Sequence, residues 1–381
     1  MKLIYFDNSA TIHYKPRFVM KSFLKALSNS ANSGRSGHKL STENSIMIWK
    51  TREYIAKEMG DIEPEHVIFT KNCTEGLNLV LKGLPYEKRN VIYSCFEHNS
   101  VVRVLHELEK AGELTLTMIS PQNKKFITAS DVKKNLEDDT FLVCVNSLSN
   151  VSGNKNDIEG IGNLCNKNGI LFLCDHAQGA GHIKVDMKKS NINFLCFSGQ
   201  KGFFTPQGIG CVCMNTSIFP TPLMFGGTGT ESDNLYQPLN PPECYESGTL
   251  PAPLIASLKS GVEYISKDFE IIAKKTKEMT KFLYDELSKF DDIKIYTAEE
   301  SEYGVVSFNI EDVPSTEVCD FLDKKYNIAT RGGLHCAPLA HKFFGTLESG
   351  MVRVSLCHKN TFKELKIFID AIRDFIDNKD I

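Results

Sequence analysis

Lys201 stands alone between glycines in Ser198-Gly199-Gln200-Lys201-Gly202, directly after the apolar run Phe194 to Phe197. A lysine amine so placed suits covalent capture of an aldehyde as a Schiff base. Asp175 closes another apolar run, Ile170 to Cys174, and is followed by His176 and Gln178. Thr74 comes after the run Val67 to Thr70, His98 after Val91 to Glu97, and Asn150 after Phe141 to Ser149. An acid, an imidazole, a lysine and several hydroxyl and amide groups thus end successive apolar runs. Pyridoxal phosphate needs this set. Lys201 would take the aldehyde, and Asp175 would keep the pyridine nitrogen protonated so that the ring accepts a carbanion's electrons. Thr74 and Ser198, with amides at a helix N-terminus, would hold the phosphate, and His98 would cover the ring. Singly, each has a plainer reading: a surface lysine, a helix cap, a turn histidine.

The elements that must position these groups are visible as patterns. After Val67 to Thr70, the residues Leu77, Val80, Leu81 and Leu84 recur at helical spacing. Strand-like runs follow at Val91 to Cys95, Leu114 to Ile119, Phe141 to Val145, Ile170 to Cys174, Phe194 to Phe197 and Ile209 to Met214, and a helix carries Val101, Val102, Leu105 and Leu108. Such alternation predicts an α/β fold with a mostly parallel sheet covered on both faces, and ligands then bind outside the carboxyl ends of the strands. Five prolines between residues 236 and 253 mark an irregular connection. Beyond a charged helical stretch to about residue 290 the pattern becomes α+β, with strands at Gly304 to Ile310 and Val352 to Leu356 and a helix at Thr316 to Tyr326. Thr361 and Glu364 have capping-box spacing ahead of a last amphipathic helix. We place the change of domain near residue 260.

Composition excludes several classes. The chain has 381 residues, 41% hydrophobic and 24% charged, which is globular rather than disordered. A net charge of −3 argues against nucleic acid or an anionic membrane as partner. No run reaches the ~18 apolar residues of a membrane span, and the first residues turn polar too early for a signal peptide. The expectation is a soluble cytoplasmic protein. Twelve cysteines without one Cys-x-x-Cys pair support neither a disulfide framework nor a metal site. Most lie in apolar runs and read as small buried hydrophobes.

The ordered motifs are more specific than any one of them. They are Tyr5-Phe6-Asp7-Asn8-Ser9-Ala10-Thr11, Arg35-Ser36-Gly37-His38, Thr74-Glu75-Gly76-Leu77-Asn78 and Glu97-His98-Asn99-Ser100. Then come Ser149-Asn150-Val151-Ser152-Gly153, Asp175-His176-Ala177-Gln178, the Lys201 segment and Glu246-Ser247-Gly248-Thr249. Arg331-Gly332-Gly333-Leu334-His335-Cys336-Ala337 and Val352-Arg353-Val354-Ser355 complete the series. In these motifs, nearly end to end, the chain resembles the cysteine desulfurases and the related selenocysteine lyases, pyridoxal-phosphate enzymes of the class V aminotransferase fold. The resemblance implies fold type I: a large domain, residues 12–260, on a seven-stranded sheet, and a small α+β domain from residues 1–11 and 261–381.

It also implies roles. Lys201 would carry the coenzyme and take the Cα proton, with Asp175 at the pyridine nitrogen, His98 on the ring and shuttling protons as the C–S bond breaks, and Gln178 at the ring hydroxyl. Thr74, Ser198, Gln200 and the backbone at Cys73 would hold the phosphate. Asn150 and Arg353 would orient the substrate, Arg353 as a fork on its carboxylate. His38 and Arg331 would stand at the rim. In relatives the site lies at a homodimer interface, and Thr249 would reach the partner subunit's phosphate. Two departures stand out. Gln200 replaces a common histidine and cannot titrate near neutrality, and Asn72-Cys73 replaces a common Gly-Thr.

Cys336 decides the reaction within this resemblance. It lies in a glycine-rich turn that can present a thiol to solvent. The implied reaction converts L-cysteine to L-alanine, leaves a persulfide on Cys336 and passes the sulfur to an acceptor protein. L-Selenocysteine as substrate would give a lyase that depends less on Cys336. An aminotransferase of the same fold and a non-catalytic sulfur carrier are the other readings.

Overall fold

The computed structural model describes residues 2–33, 36–122 and 124–378. Arg35 of the second motif lies outside them. A two-residue strand β1 (Ile4–Tyr5) precedes helices α1 (Arg17–Ser28) and α2 (Lys39–Glu58). Strands and helices then alternate: β2 (Val67–Thr70), α3 (Cys73–Gly83), β3 (Asn90–Ser94), α4 (Asn99–Lys110), β4 (Thr115–Ile119) and the short α5 (Ala129–Lys133). They continue with β5 (Thr140–Asn146), α6 (Ile158–Lys167), β6 (Leu171–Asp175), β7 (Phe194–Ser198) and β8 (Gly210–Met214).

These strands form one seven-stranded sheet in the order β2-β8-β7-β6-β5-β3-β4. Every residue of β3, β5, β6, β7 and β8 is buried. That is why they read as continuous apolar runs rather than alternating ones. One face packs on a core including Ile55, Phe172, Phe197 and Leu258, the other on Leu77, Leu105, Leu173 and Phe194. Strand β8 is antiparallel to both β2 and β7. The connection from Gly199 to Ile209 carries no helix, so the chain lacks the crossover a parallel return requires.

Residues 215–251 are irregular apart from one 3₁₀ turn, Glu243–Tyr245. Helix α7 (Ala252–Leu287) follows and leaves helical geometry at Asp268. Residue 260 therefore lies inside a helix. The remainder is β9 (Ile293–Ile295), β10 (Val305–Ile310), α8 (Ser315–Tyr326), β11 (Ile328–Ala329), α9 (Pro338–Phe344), β12 (Val352–Ser355) and α10 (Phe362–Asn378). Strands β12, β10 and β9 make an antiparallel sheet. β1 pairs in parallel with β11, Ile4 opposite Ile328. A third core of Phe6, Phe308, Leu322, Val354 and Phe368 ties these parts together. The expected capping box is present: Thr361 N donates to Glu364 Oε2 (2.9 Å) and Glu364 N to Thr361 Oγ1 (3.2 Å). Ten cysteines are buried, Cys319 is half-buried and Cys336 is exposed.

Candidate active site

The carboxyl ends of β5, β6 and β7 converge on a cavity of about 210 Å³. Nine expected residues line it: Cys73, Thr74, His98, Asn150, Asp175, Gln178, Ser198, Gln200 and Lys201. Asp175 is the last residue of β6 and Ser198 the last of β7. Lys201 follows in the turn after Ser198. That turn lies against the one after Asp175, because Gly202 packs on the Ala180–Gly181 backbone. A Cβ at Gly202 would fall 1.6 Å from Ala180 O, and one at Gly181, whose φ is +77°, 2.5 Å from Gly202 O. Two glycines thus bring the lysine and the acid to one wall.

The Asp175 carboxylate is held at one oxygen. Its Oδ1 accepts from Ala177 N (2.9 Å) and from the Cys73 thiol (3.5 Å), which leaves Oδ2 for a ligand. Cys73 N donates to Ser198 Oγ (3.0 Å). This bond sets the start of α3 against the end of β7. The α3 N-terminus is capped by Asn72, whose side chain accepts from Glu75 N (2.9 Å). Thr74 is exposed at that N-terminus, where amides and the helix dipole favour an anion. The Gln200 amide has no hydrogen-bond partner among the described residues, although its Oε1 is wholly buried. Such an orphaned buried group belongs where a ligand completes the bonding.

Burial lowers the Lys201 amine below the ordinary lysine range, opposed in part by the Asp175 charge. The Lys201 amine makes no hydrogen bond or ion pair with the described residues. His98 caps α4, its Nδ1 accepting from Ser100 N (3.0 Å), so its ring proton sits on Nε2. Burial pushes the His98 pKa down to about 4. Gln178 donates from Nε2 to Ser9 O (2.9 Å) and keeps its Oε1 for a ligand.

Arg353 lies behind Asn150. It is fully buried, and it donates from Nη1 to Asn150 O (2.9 Å) and from Nη2 to Asp7 Oδ1 (2.7 Å). Its Nε has no partner among the described residues. Arg331 Nη2 lies 3.6 Å from Cys336 Sγ. The Cys336 turn itself docks on the cavity wall: Asn150 Nδ2 donates to His335 O (2.7 Å) and Asn99 N to Cys336 O (2.7 Å).

Two expected residues lie elsewhere. His38 caps α2, its side chain accepting from Ser41 N (3.3 Å), and is exposed. Thr249 is exposed beside a different cavity, with Lys71 and Leu79. The segment before it is anchored by Glu246. That carboxylate pairs with the Arg52 guanidinium and accepts from Phe69 N (2.7 Å), both in the interior. Sequence reasoning missed Asn146 and Asp7. Asn146 ends β5 and lines the cavity, so the strand-end rule applies to it once the strand is carried one residue past Val145. Asp7 had no local signal, since its partner is far along the chain.

The family model for aminotransferase class-V matches residues 4–368. A probable cysteine desulfurase of Pyrococcus abyssi is 31% identical over 98% of this chain and 94% of its own length. A probable cysteine desulfurase of Borreliella burgdorferi is 29% identical over 98% of this chain and 92% of its own. Among solved structures, the apo cysteine desulfurase of Thermococcus onnurineus superposes with a TM-score of 0.91 at 30% identity, covering 99% of this chain and 95% of that one.

Proposed function

The chain belongs to the class-V aminotransferase family, and from that premise we propose that it is a cysteine desulfurase, taking L-cysteine to L-alanine and holding the sulfur on Cys336. The coenzyme is pyridoxal 5'-phosphate, and the residues present fit it. Asp175 Oδ2 is open to the pyridine nitrogen and Lys201 to the aldehyde, while Thr74, Ser198, Gln200 and the α3 amides form a cup for phosphate. Once bound, it supplies an electron sink that makes the substrate's Cα proton acidic and its C–S bond breakable.

The chain's own groups do the rest. Arg353, with its unpaired Nε, grips the substrate carboxylate, and Asn150 fixes its angle. Lys201, its amine made less basic by burial, takes the Cα proton at Nζ and returns it. Cys336 as thiolate attacks the substrate sulfur. The S–S bond forms as the C–S bond breaks, its electron pair goes to carbon, and protonation of that carbon yields alanine. One L-cysteine and one thiol thus give one alanine and one persulfide, with no external oxidant. The observation that carries this reading is the exposed Cys336 tied to the wall of the Lys201–Asp175 cavity through Asn150 and Asn99.

A homodimer fits the surface. Leu235, Leu239 and Tyr236 are 97%, 91% and 84% exposed on the segment leading to Thr249, an apolar stretch that a second copy would cover. Thr249, exposed and away from this chain's own cup, is then free to serve the partner's. An acceptor protein takes the sulfur from Cys336. We read the chain as two lobes, 12–260 and 1–11 with 261–381, which the separate third core supports. Among the described residues no helix is long and apolar enough to cross a membrane. Twelve free cysteines suit the cytoplasm, where we place the protein.

Mass spectrometry of Cys336 after incubation with L-cysteine tests the proposal. We expect one added sulfur there, loss of alanine formation in Cys336→Ala, and loss of the yellow colour in Lys201→Ala. Unchanged L-cysteine turnover in Cys336→Ala would refute the thiol attack.

A further inference from the structure

The turn that carries Cys336 has an uncommon backbone. His335 and Cys336 both have positive φ, 51° and 56°. Neither is glycine, and the left-handed region brings the Cβ of such a residue too close to the following carbonyl oxygen. Strained pairs of this kind persist only where the surroundings over-determine them. Leu334 and Cys336 are exposed, so His335 is the one side chain of the three that reaches inward.

Beneath the turn lies a chain of three buried side chains. His335 Nε2 is 3.2 Å from Arg331 O, His335 Nδ1 is 3.3 Å from His341 Nε2, and His341 Nδ1 is 2.9 Å from Thr346 Oγ1. The two ring planes lie 20° apart with centroids 5.4 Å apart, as an edge-to-edge N–H···N contact requires. A carbonyl only accepts, so His335 carries its proton on Nε2 and accepts at Nδ1. His341 must then donate from Nε2, and its Nδ1 accepts from the Thr346 hydroxyl. The Thr346 hydroxyl also lies 3.5 Å from His341 O, but the shorter contact is to Nδ1, and with its proton there both rings are neutral. Burial, which holds both rings' pKa values low, favours the same state.

We propose that the Thr346–His341–His335 chain locks the Cys336 turn against α9, and that His335 and His341 are positioning residues for the step in which Cys336 receives sulfur. This rests on the reading of Cys336 as the sulfur acceptor. The lock has a clear anchor: Thr346 N donates to His341 O (2.8 Å), just past the left-handed Gly345 that ends α9. It also has a clear load. Arg331 O is its last acceptor, and the Arg331 side chain is the one beside Cys336 Sγ.

Amide hydrogen exchange on the holoenzyme, together with the single-turnover rate of persulfide formation, tests the lock. In His341→Ala we expect the Asn99, Ala337 and Met351 amides, which donate to Cys336 O, Leu334 O and Gly333 O, to exchange at least tenfold faster. The sheet amides should keep their protection. Persulfide formation should slow by tenfold or more with the KM for L-cysteine unchanged. His341→Gln, which still donates toward His335, should recover most of both. Thr346→Val, which keeps shape but removes the hydroxyl, should give an intermediate effect that Thr346→Ser lacks. If the alanine variant fails to fold, Thr346→Val against Thr346→Ser still decides. Wild-type exchange and persulfide rate in folded His341→Ala or Thr346→Val would overturn the proposal. Persistent L-cysteine turnover in Cys336→Ala would instead refute the desulfurase reading, and the exchange measurement would still report on the lock.

Discussion

Glu97 carries a carboxyl with no exposure, directly before the ring-covering His98. Its Oε1 accepts from Ser94 Oγ (2.5 Å), Asn146 N (2.9 Å) and Asn146 Nδ2 (2.9 Å), while Oε2 has no partner among the described residues. Burial pushes its pKa from 4.5 up to about 8. The folded state therefore holds this proton when the unfolded chain has released it. The stabilisation is complete below 4.5 and is lost as pH rises toward 8. Glu97→Gln keeps the acceptor for Ser94 and Asn146 and removes the titration. We expect wild type and variant to be about equally stable in urea at pH 5. At pH 8 the variant should be the more stable by about 2 kcal/mol or more, since each pKa unit is worth about 1.4 kcal/mol. Equal midpoints at both pH values would show that Glu97 is ionised in the fold. The sequence gives no hint of this burial, because Glu97 opens the polar stretch Glu97-His98-Asn99-Ser100 and reads as the exposed end of the run before it. Asp7 is illegible for another reason: its ion pair with Arg353 spans 346 positions, and no local pattern records such a contact.

At the scale of elements, the site depends on two turns that touch. Lys201, Asp175 and Ser198 were legible because buried parallel strands leave long apolar runs, and the first polar residue after each run lies on one rim. The antiparallel β8 was not legible from its apolar run, since a run looks the same in either direction. The short elements β1, β9, β11 and α9 hold too few residues to show a period. What the glycines of Ser198-Gly199-Gln200-Lys201-Gly202 do becomes clear only from the approach of Gly202 to Ala180. We expect Gly202→Ala to push the two turns apart. The soluble variant should lose at least tenfold in coenzyme affinity, read from the visible absorbance on titration with pyridoxal 5'-phosphate. Gly112→Ala is the control: nothing lies within 4 Å of its Cβ, although its φ of +75° adds a local cost. Wild-type coenzyme affinity in Gly202→Ala would mean that the turns do not set the lysine.

For the whole molecule, acid is the main threat. Burial lowers the pKa of His176 to about 3, His182 to about 4, His335 to about 2, His341 to about 4 and His358 to about 3, all from 6.5. Unfolded, these imidazoles take protons at about 6.5. Their contribution to stability is complete above that pH and is lost as pH falls toward the folded values, each by up to about 1.4 kcal/mol per unit. Glu97 acts in the opposite sense but is one group against six, since buried His98 is also held down at about 4. The melting temperature should therefore fall steeply between pH 7 and pH 5. A flat or rising melting temperature over that interval would contradict the burial of these rings.

The pairing of β1 with β11 has a consequence for biosynthesis. Every side chain that lines the cavity has left the ribosome soon after Lys201 is added. Strand β1, two residues ahead of Asp7, the counter-ion of Arg353, finds its hydrogen-bonding neighbour only when Ile328 emerges. At ~5–20 residues per second the amino terminus waits for roughly 16–65 s. Over the last part of that wait, about 6–25 s between the addition of Lys201 and that of Ile328, a nascent chain has its lysine and its carboxylate in place but not the clamp for the amino acid it is to consume.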